Sequence, residues 1–138
     1  MFSEAELDVM DHKLVAIVAI VSGRLISHLP PRHLHSVLRR ISGASPAASV
    51  DLVEAARRVI VRASKRCAGR WCLERSLAIA LYCRLCGRWP EFHIGVRLDP
   101  FLGHAWVAVD GRPVGESGEV AAFAPTISVL PMAVPSAD

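Results

Sequence analysis

Residues 72–97 read CLERSLAIALYCRLCGRWPEFHIGVR, and within this stretch the spacing of apolar residues changes from helical to extended. The first half is apolar on more than one face, which predicts a buried helix beginning at Trp71-Cys72 and ending at Gly87. From Phe92 onward apolar residues alternate with other residues, and this period of two predicts a β-strand. A buried helix followed by a strand is therefore the predicted centre of the fold.

Helices are predicted before this centre and strands after it. Residues 4–28 and 32–41 have helical spacing, and Ser49 is a suitable N-cap for a third helix that ends at Ala63 and frays over 65–70. This order indicates an α+β fold, with N-terminal helices packed on a small antiparallel sheet. The predicted strands cover residues 92–98, 104–109, 112–116 and 120–129.

The length of 138 residues suits one hydrophobic core. Residues 42–48, SGASPAA, have the composition of a linker. We therefore interpret residues 1–45 as a helical segment packed on a core of residues 46–138, with one compact domain overall.

The N-terminal apolar segment predicts neither a membrane span nor a secretion signal. Its longest run, residues 14–21, has 8 residues, whereas about 18 are needed to cross a bilayer. Acidic residues precede it, where a secretion signal would be basic. We therefore expect a cytoplasmic protein with reduced cysteines and, at 52% hydrophobic residues, some apolar surface for a partner or a membrane face.

Positive charge is concentrated in the middle of the chain. Residues 24–88 hold 13 Lys/Arg and 3 acids, so 13 − 3 gives +10, while residues 1–23 carry −3 and residues 89–138 carry −4. This middle is either a set of solvated helix faces or a surface for an acidic peptide, a partner protein, an anionic membrane or nucleic acid. Because the basic region has few aromatic residues, stacking on single-stranded nucleic acid is disfavoured.

Cys72 is the best-placed of the four cysteines for nucleophilic chemistry. A thiol attacks as the thiolate, and a free thiol with a pKa of about 8.5 supplies little thiolate at neutral pH. The unpaired N–H groups at a helix start favour the anion, and the Cys72 N–H can also face an oxyanion. Arg70 and Arg75 add positive charge nearby. Position alone explains Cys72 equally well as a small buried hydrophobic residue.

Cys83-x-x-Cys86 has the spacing of a metal or redox pair. Structural zinc usually needs a second pair of ligands, which the chain does not offer, and a redox pair sits at the start of a helix rather than its end. We therefore predict no metal and no cofactor.

His104 is the candidate base, since it begins the second predicted strand and shares a face with Trp106. A catalytic imidazole needs a third group that fixes its tautomer. Asp110 lies six residues further along, roughly 20 Å at strand rise, and sits at the hairpin tip, too far away to do this. His104 alone is also compatible with an ordinary core or surface histidine, and His93, on the neighbouring strand, is a weaker candidate for the cleft.

Glu116 is the alternative third group, and its position depends on the hairpin register. A two-residue turn at Asp110-Gly111 pairs His104 with Ser117. A three-residue loop ending in a left-handed Gly111 pairs His104 with Glu116 on one face. We favour the second register.

Three stretches, in this order, resemble the lasso-peptide leader peptidases, the transglutaminase-like, microcin-J25-processing family. They are CLERSLA (72–78), FHIGVR (92–97) and HAWVAVDGRPV (104–114), and the similarity covers most of residues 50–123. The resemblance implies a papain/transglutaminase-like cysteine protease core, with the nucleophile on Cys72 and the base on His104. The family's third member is usually an aspartate on the strand after the DG turn, and Glu116 is the best match here.

The implied activity is removal of the leader segment from a ribosomally synthesised precursor peptide during lasso peptide maturation. Only about 45 residues, read as helices, precede the protease-like region. The resemblance therefore implies a separate leader-peptide recognition protein as partner, besides the precursor peptide and an ATP-dependent lasso cyclase, and any membrane contact through that complex. An indole N–H of Trp71 or Trp106 is a candidate second oxyanion donor.

Two other functions stay open at this point. A thioester at Cys72 can pass to an amine instead of water, which gives an acyltransferase. Alternatively the chain is a basic helical binding module whose thiol is incidental. Within the peptidase interpretation no nucleic acid partner is expected.

Overall fold

The computed structural model describes residues 4–69, 71–98, 101–116 and 118–132, which form five helices and a four-stranded antiparallel sheet. This confirms the predicted α+β fold. The helices are α1 (Glu4–Ile26), α2 (Pro31–Ser42), α3 (Val50–Ala63), the single turn α4 (Lys65–Ala68) and α5 (Cys72–Leu85). The strands are β1 (Glu91–Arg97), β2 (Leu102–Val109), β3 (Arg112–Pro113) and β4 (Ala124–Val129).

Helix α5 is the centre of the core, as its apolar composition predicted. Its side chains from Ser76 to Cys83 are all buried, and α1, α3 and the sheet pack around it. The contact with α1 is close, because a Cβ added at Gly23 would lie 3.1 Å from the backbone nitrogen of Ala78. In the described ranges, no helix combines the length and apolarity that crossing a bilayer requires.

The helix boundaries follow local capping. Ser49 caps α3, as predicted, since its side chain accepts a hydrogen bond from the Leu52 N–H at 3.1 Å. The stretch expected to fray contains the single turn α4, where the Ser64 hydroxyl accepts from the Cys67 N–H at 3.2 Å. Arg70 lies outside the described residues.

Residues 42–48, whose composition resembles a linker, pack beside the sheet and do not form an exposed linker. Ala48 N–H donates to the Trp89 carbonyl at 3.0 Å, and Trp89 N–H donates to the Pro46 carbonyl at 2.9 Å. The Trp89 side chain is fully buried and donates to the Val129 carbonyl at 3.1 Å. Main-chain hydrogen bonds therefore hold this stretch to Trp89, and the Trp89 indole connects it to the strand β4.

The hairpin after β2 has a two-residue turn, so the favoured three-residue loop is wrong. Val109 pairs with Arg112, and the turn residues Asp110 and Gly111 have φ values of 52° and 77°. A turn with two left-handed residues matches the twist of the flanking strands, and Asp-Gly is a suitable pair for it. The chain therefore forms the two-residue turn and not the predicted three-residue loop with a bulge.

The return strand is shorter than predicted, and the last strand lies elsewhere in the sheet. β3 ends at Pro113, whereas the prediction extended to residue 116. A 3₁₀ turn (Gly118–Ala122) occupies the start of the stretch predicted as strand 120–129. β4 then pairs with β1, so the strand order is β3-β2-β1-β4.

Candidate active site

His104 and Glu116 form a hydrogen-bonded pair at the edge of the sheet. Nε2 of His104 lies 3.0 Å from Oε2 of Glu116, and both side chains are largely buried, at 20% and 13% exposed. An ionised carboxylate only accepts hydrogen bonds, so this contact keeps a proton on Nε2. In the neutral ring, Nδ1 then carries the lone pair that can accept a proton from a thiol.

Glu116 reaches His104 because the chain leaves the ladder after β3. Val114 N–H still donates to the Val107 carbonyl at 3.0 Å, but the next residue, Gly115, has a φ of 73°. A left-handed φ of this kind favours glycine, and the guanidinium of Arg57 lies where a Cβ would stand. The predicted pair is therefore formed by this turn and not by the predicted register.

Aromatic side chains hold the His104 ring in place. Trp106 stacks on it at a centroid distance of 5.9 Å and an angle of 17°, and Phe123 contacts it at 5.3 Å. Opposite His104 on β1 stands Gly95, where a Cβ would lie 2.9 Å from the Trp106 ring and 2.8 Å from the Ala124 carbonyl. Gly95 therefore makes room for the indole that supports the imidazole.

Cys72 is the first residue of α5 and is half-buried. The helix begins at Trp71 without a capping side chain, and its first backbone bond joins the Arg75 N–H to the Trp71 carbonyl at 3.0 Å. The N–H of Cys72 precedes that bond and has no partner within the helix, as a donor for an oxyanion requires. Trp71 itself is 49% exposed beside it.

A buried hydrogen bond joins the helix of Cys72 to the strand of His104. The Ser76 hydroxyl donates to the Ala105 carbonyl at 3.1 Å. Ser76 lies one helical turn after Cys72, on the same side of α5, and Ala105 directly follows His104. The start of α5 thus lies beside the strand that carries His104. The imidazole itself contacts Trp106 and Phe123, which belong to the cluster on the face of the sheet away from α5, and the Cys72 thiol makes no hydrogen bond to it.

The Ser76 hydrogen bond exists because β3 stops early. The register of the β2–β3 hairpin, continued, would place residue 116 opposite Ala105. The chain has turned away at Gly115, so this part of the β2 edge has no strand beside it. Alternate carbonyls of a strand point the same way, and Val107 already faces β3. Ser76 therefore satisfies a carbonyl that the missing strand would have used.

Arg75 supports the loop before Cys72 through the backbone. Its Nη1 donates to the carbonyls of Gly69 at 2.8 Å and Cys67 at 3.3 Å. Arg75, which the sequence predicted to add positive charge near the thiol, therefore also holds the backbone of the loop that leads into α5.

The other cysteines of α5 are poor nucleophiles. Cys83 is fully buried, and burial raises its pKa from 9.0 to about 12, with the neighbouring Cys86 adding to the shift. Cys86 lies at the C-terminal end of α5, where the helix dipole disfavours a thiolate. Within α5, Cys72 is consequently the thiol whose setting suits nucleophilic attack.

A cavity of about 570 Å³ opens beside the pair, on the Trp106 side of the sheet. Its wall includes Glu116, Trp106 and His93. His93 is held by Ser128, with Nδ1 2.7 Å from the hydroxyl, and by Glu91, with Nε2 3.3 Å from the carboxylate. The cavity therefore combines an aromatic wall with the His93–Glu91 pair and the Glu116 carboxylate, while neither His104 nor Cys72 is part of its lining.

Three residues of the site were not singled out from the sequence. Ser76 could have been noticed, because it is a hydroxyl four residues after Cys72 and directly before the apolar run of α5. Gly95 stands inside a predicted strand, where glycine often marks a close approach. Nothing in the sequence pattern indicated that Phe123 belongs to the site, since its position depends on the 3₁₀ turn that replaces the start of the predicted strand.

A family model matches most of the chain. The profile described as the transglutaminase-like superfamily matches residues 16–128, from within α1 into β4. No curated protein and no solved structure matches the chain.

Proposed function

Because the chain belongs to the transglutaminase-like superfamily, whose members are typically cysteine-dependent enzymes, we propose that it is a cysteine peptidase. Cys72 is the nucleophile and His104 the base. The observation that carries the proposal is the His104–Glu116 hydrogen bond, because it prepares Nδ1 to accept a thiol proton. The Ser76–Ala105 bond supports it by fixing the thiol-bearing helix to the imidazole-bearing strand.

The reaction proceeds by acylation and hydrolysis. The Cys72 thiol gives its proton to Nδ1 of His104, and the sulfur attacks the carbonyl carbon of the scissile amide. His104 then protonates the leaving amine nitrogen as the C–N bond breaks, which leaves a thioester on Cys72. Water loses a proton to His104, attacks the thioester, and releases the carboxylate product with the thiol restored.

Glu116 and the start of α5 stabilise the charges that form. The Glu116 carboxylate accepts from Nε2–H and stabilises the imidazolium that follows proton transfer. The Cys72 N–H donates to the oxyanion of the tetrahedral intermediate. A second donor is the indole N–H of Trp71 or Trp106, both of which lie next to a catalytic residue in the chain or in space.

The substrate we propose is a ribosomally synthesised precursor peptide, whose leader segment is removed during lasso peptide maturation. Support comes from the resemblance of residues 72–78, 92–97 and 104–114 to leader peptidases, which extends beyond the reactive residues. A separate leader-recognition protein and an ATP-dependent lasso cyclase are the proposed partners.

The test is to incubate the protein with the precursor peptide encoded beside its gene, with and without a leader-binding protein, and to weigh the products. We expect two fragments whose summed mass exceeds the precursor by one water. Cys72→Ala should abolish them, while Cys86→Ala, at the exposed end of the same helix, should not. Full cleavage by Cys72→Ala would refute the proposal. A product carrying an added amine would instead assign an acyltransferase.

A further inference from the structure

The face of α1 that points away from the domain consists of large apolar side chains. Each is at least half exposed, from 50% for Val18 to 68% for Leu25. Monomeric proteins rarely expose contiguous apolar patches of this kind unless they bind something there. This α1 face comprises Leu14, Ile17, Val18, Val21 and Leu25.

The opposite side of α1 packs on the domain, with small residues at its closest contacts. Ala16 and Ala19 are fully buried, and Gly23 lies against α5. Val15, Ile20 and Ile26 are partly buried beside them, so α1 has large apolar side chains both on the side that packs on the domain and on its exposed side. A helix that packed only on its own domain would present polar side chains on its exposed side. The α1 face therefore indicates that a partner covers it.

The spacing of the α1 face fits another helix. Leu14, Val18, Val21 and Leu25 follow one another at intervals of four, three and four residues. This is the spacing of the seam of a two-stranded coiled coil, in which apolar residues repeat every 3.5 residues on average. Ile17 lies beside the seam.

The order of these residues is the same in both directions. If a second α1 runs antiparallel, with a two-fold axis between Val18 and Val21, Leu14 lies opposite Leu25 of the second copy. Val18 then lies opposite Val21 of the second copy, so every layer joins identical residue types. A two-fold contact between copies requires this self-complementarity, whereas a contact with a different protein does not.

Charge and area agree with a second copy as the occupant. In this register Lys13 and Arg24 fall opposite positions 26 and 15, which are Ile and Val, so these cations do not meet like charges. Each of the five exposed side chains offers on the order of 100 Å² of accessible surface. Two copies would therefore bury about 1,000 Å² in total, which is the lower limit for a specific interface.

We propose that the protein forms a homodimer in which the α1 face packs antiparallel on the α1 face of a second copy. The interface lies on α1, apart from Cys72, His104 and Glu116, so it does not depend on the proposed peptidase activity. Because the buried area is small, the dimer dissociates on dilution.

The first test is sedimentation of the full chain over roughly two decades of concentration. The wild type should pass from monomer to dimer. Val18→Glu should weaken the dimer by at least roughly 100-fold, because the two-fold axis places the unpaired charge in the seam twice. Leu98→Glu is the matched control, since Leu98 is 74% exposed outside α1 and its substitution should leave the dimer unchanged.

The second test fixes the direction of the helices. Val18→Lys combined with Val21→Glu places opposite charges against each other in the antiparallel register and should recover the dimer that Val18→Lys loses. Val18→Lys combined with Val21→Lys should not recover it. Circular dichroism should show the same fold throughout, since both positions are exposed.

Three outcomes would overturn the proposal. One is a wild type that stays monomeric over the whole concentration range. Another is a dimer that Val18→Glu leaves intact or that the opposite-charge pair fails to restore. The third is a monomer that binds anionic lipid vesicles through this face, as shown by loss of vesicle binding in Val18→Glu, which would assign the face to a membrane.

Discussion

His104 and Glu116 are hydrogen-bonded at 3.0 Å although the hairpin register does not pair their backbones. The register, continued, would place residue 116 opposite Ala105, with its side chain on the other face of the sheet. The left-handed Gly115 ends the ladder and brings the carboxylate to the imidazole. A turn therefore completes the site, where the sequence pattern suggested a strand.

The first prediction concerns the carboxylate. Glu116→Gln should lower kcat by about 10- to 1,000-fold, because an amide stabilises neither the imidazolium nor the required tautomer as well as a carboxylate does. KM should change little. Asp110→Asn, at the exposed hairpin tip, is the control and should be near wild type. Equal losses in both variants would contradict the assignment of Glu116.

The second prediction concerns Gly95. A methyl group there would meet both Trp106 and the Ala124 carbonyl, so Gly95→Ala should displace the indole that supports His104. We expect a loss of activity and a destabilisation of about 1–3 kcal/mol, the usual cost of overpacking. In Gly103→Ala, one residue before His104, the new methyl meets nothing within 4 Å. Thermal melts and cleavage rates of the two variants should differ clearly; similar behaviour would argue against this role of Gly95.

The third prediction concerns Ser76. Ser76→Ala leaves the buried Ala105 carbonyl without its hydroxyl partner, which should cost about 1–3 kcal/mol of stability. Because Ser76 connects the helix of Cys72 to the strand of His104, kcat should fall more than KM changes. Ser36→Ala removes an exposed hydroxyl that bonds within α2 and is the control. A stable Ser76→Ala protein with unchanged kcat would show that the bond does not position the site.

Much of the fold was predictable because its signals are local. The apolar faces of α5, the Ser49 cap and the alternation from Phe92 each depend on a few neighbouring residues, and the structure confirms them. The hairpin was located correctly from Asp110-Gly111, but its length was not. A two-residue turn and a three-residue loop have similar sequence preferences at this point, and the local sequence pattern does not predict which of them forms.

The parts of the site that the sequence did not predict depend on contacts between distant segments. Ser76 acts on Ala105, 29 residues away, and only because β3 is short. Phe123 reaches His104 from a 3₁₀ turn that interrupts a stretch with the composition of a strand. Tertiary packing determines both contacts, and the periodicity of apolar residues in the sequence does not predict them.

The fourth prediction is a pH dependence of stability that arises from Cys83. Its pKa is raised from 9.0 to about 12 in the native state, so above pH 9 the unfolded chain loses this proton while the native chain keeps it. The unfolded state then binds fewer protons, and stability falls as pH rises from about 9 towards 12, by up to about 1.4 kcal/mol per pH unit.

Urea denaturation at pH 8, 9 and 10 should therefore show a steeper alkaline loss of stability in the wild type than in Cys83→Ala. Cys86→Ala, at the exposed end of α5, should keep most of the wild-type slope. A Cys83→Ala slope equal to that of the wild type would mean that another group causes the alkaline loss.

The last prediction can be tested without a substrate. Mass spectrometry measures the rate at which iodoacetamide alkylates each cysteine near neutral pH, in the wild type and in His104→Ala. If His104 takes the proton of the Cys72 thiol, alkylation of Cys72 should be at least roughly tenfold slower in His104→Ala, while alkylation of Cys86 stays the same. Equal Cys72 rates in the two proteins would contradict the coupling of thiol and imidazole on which the proposed mechanism depends.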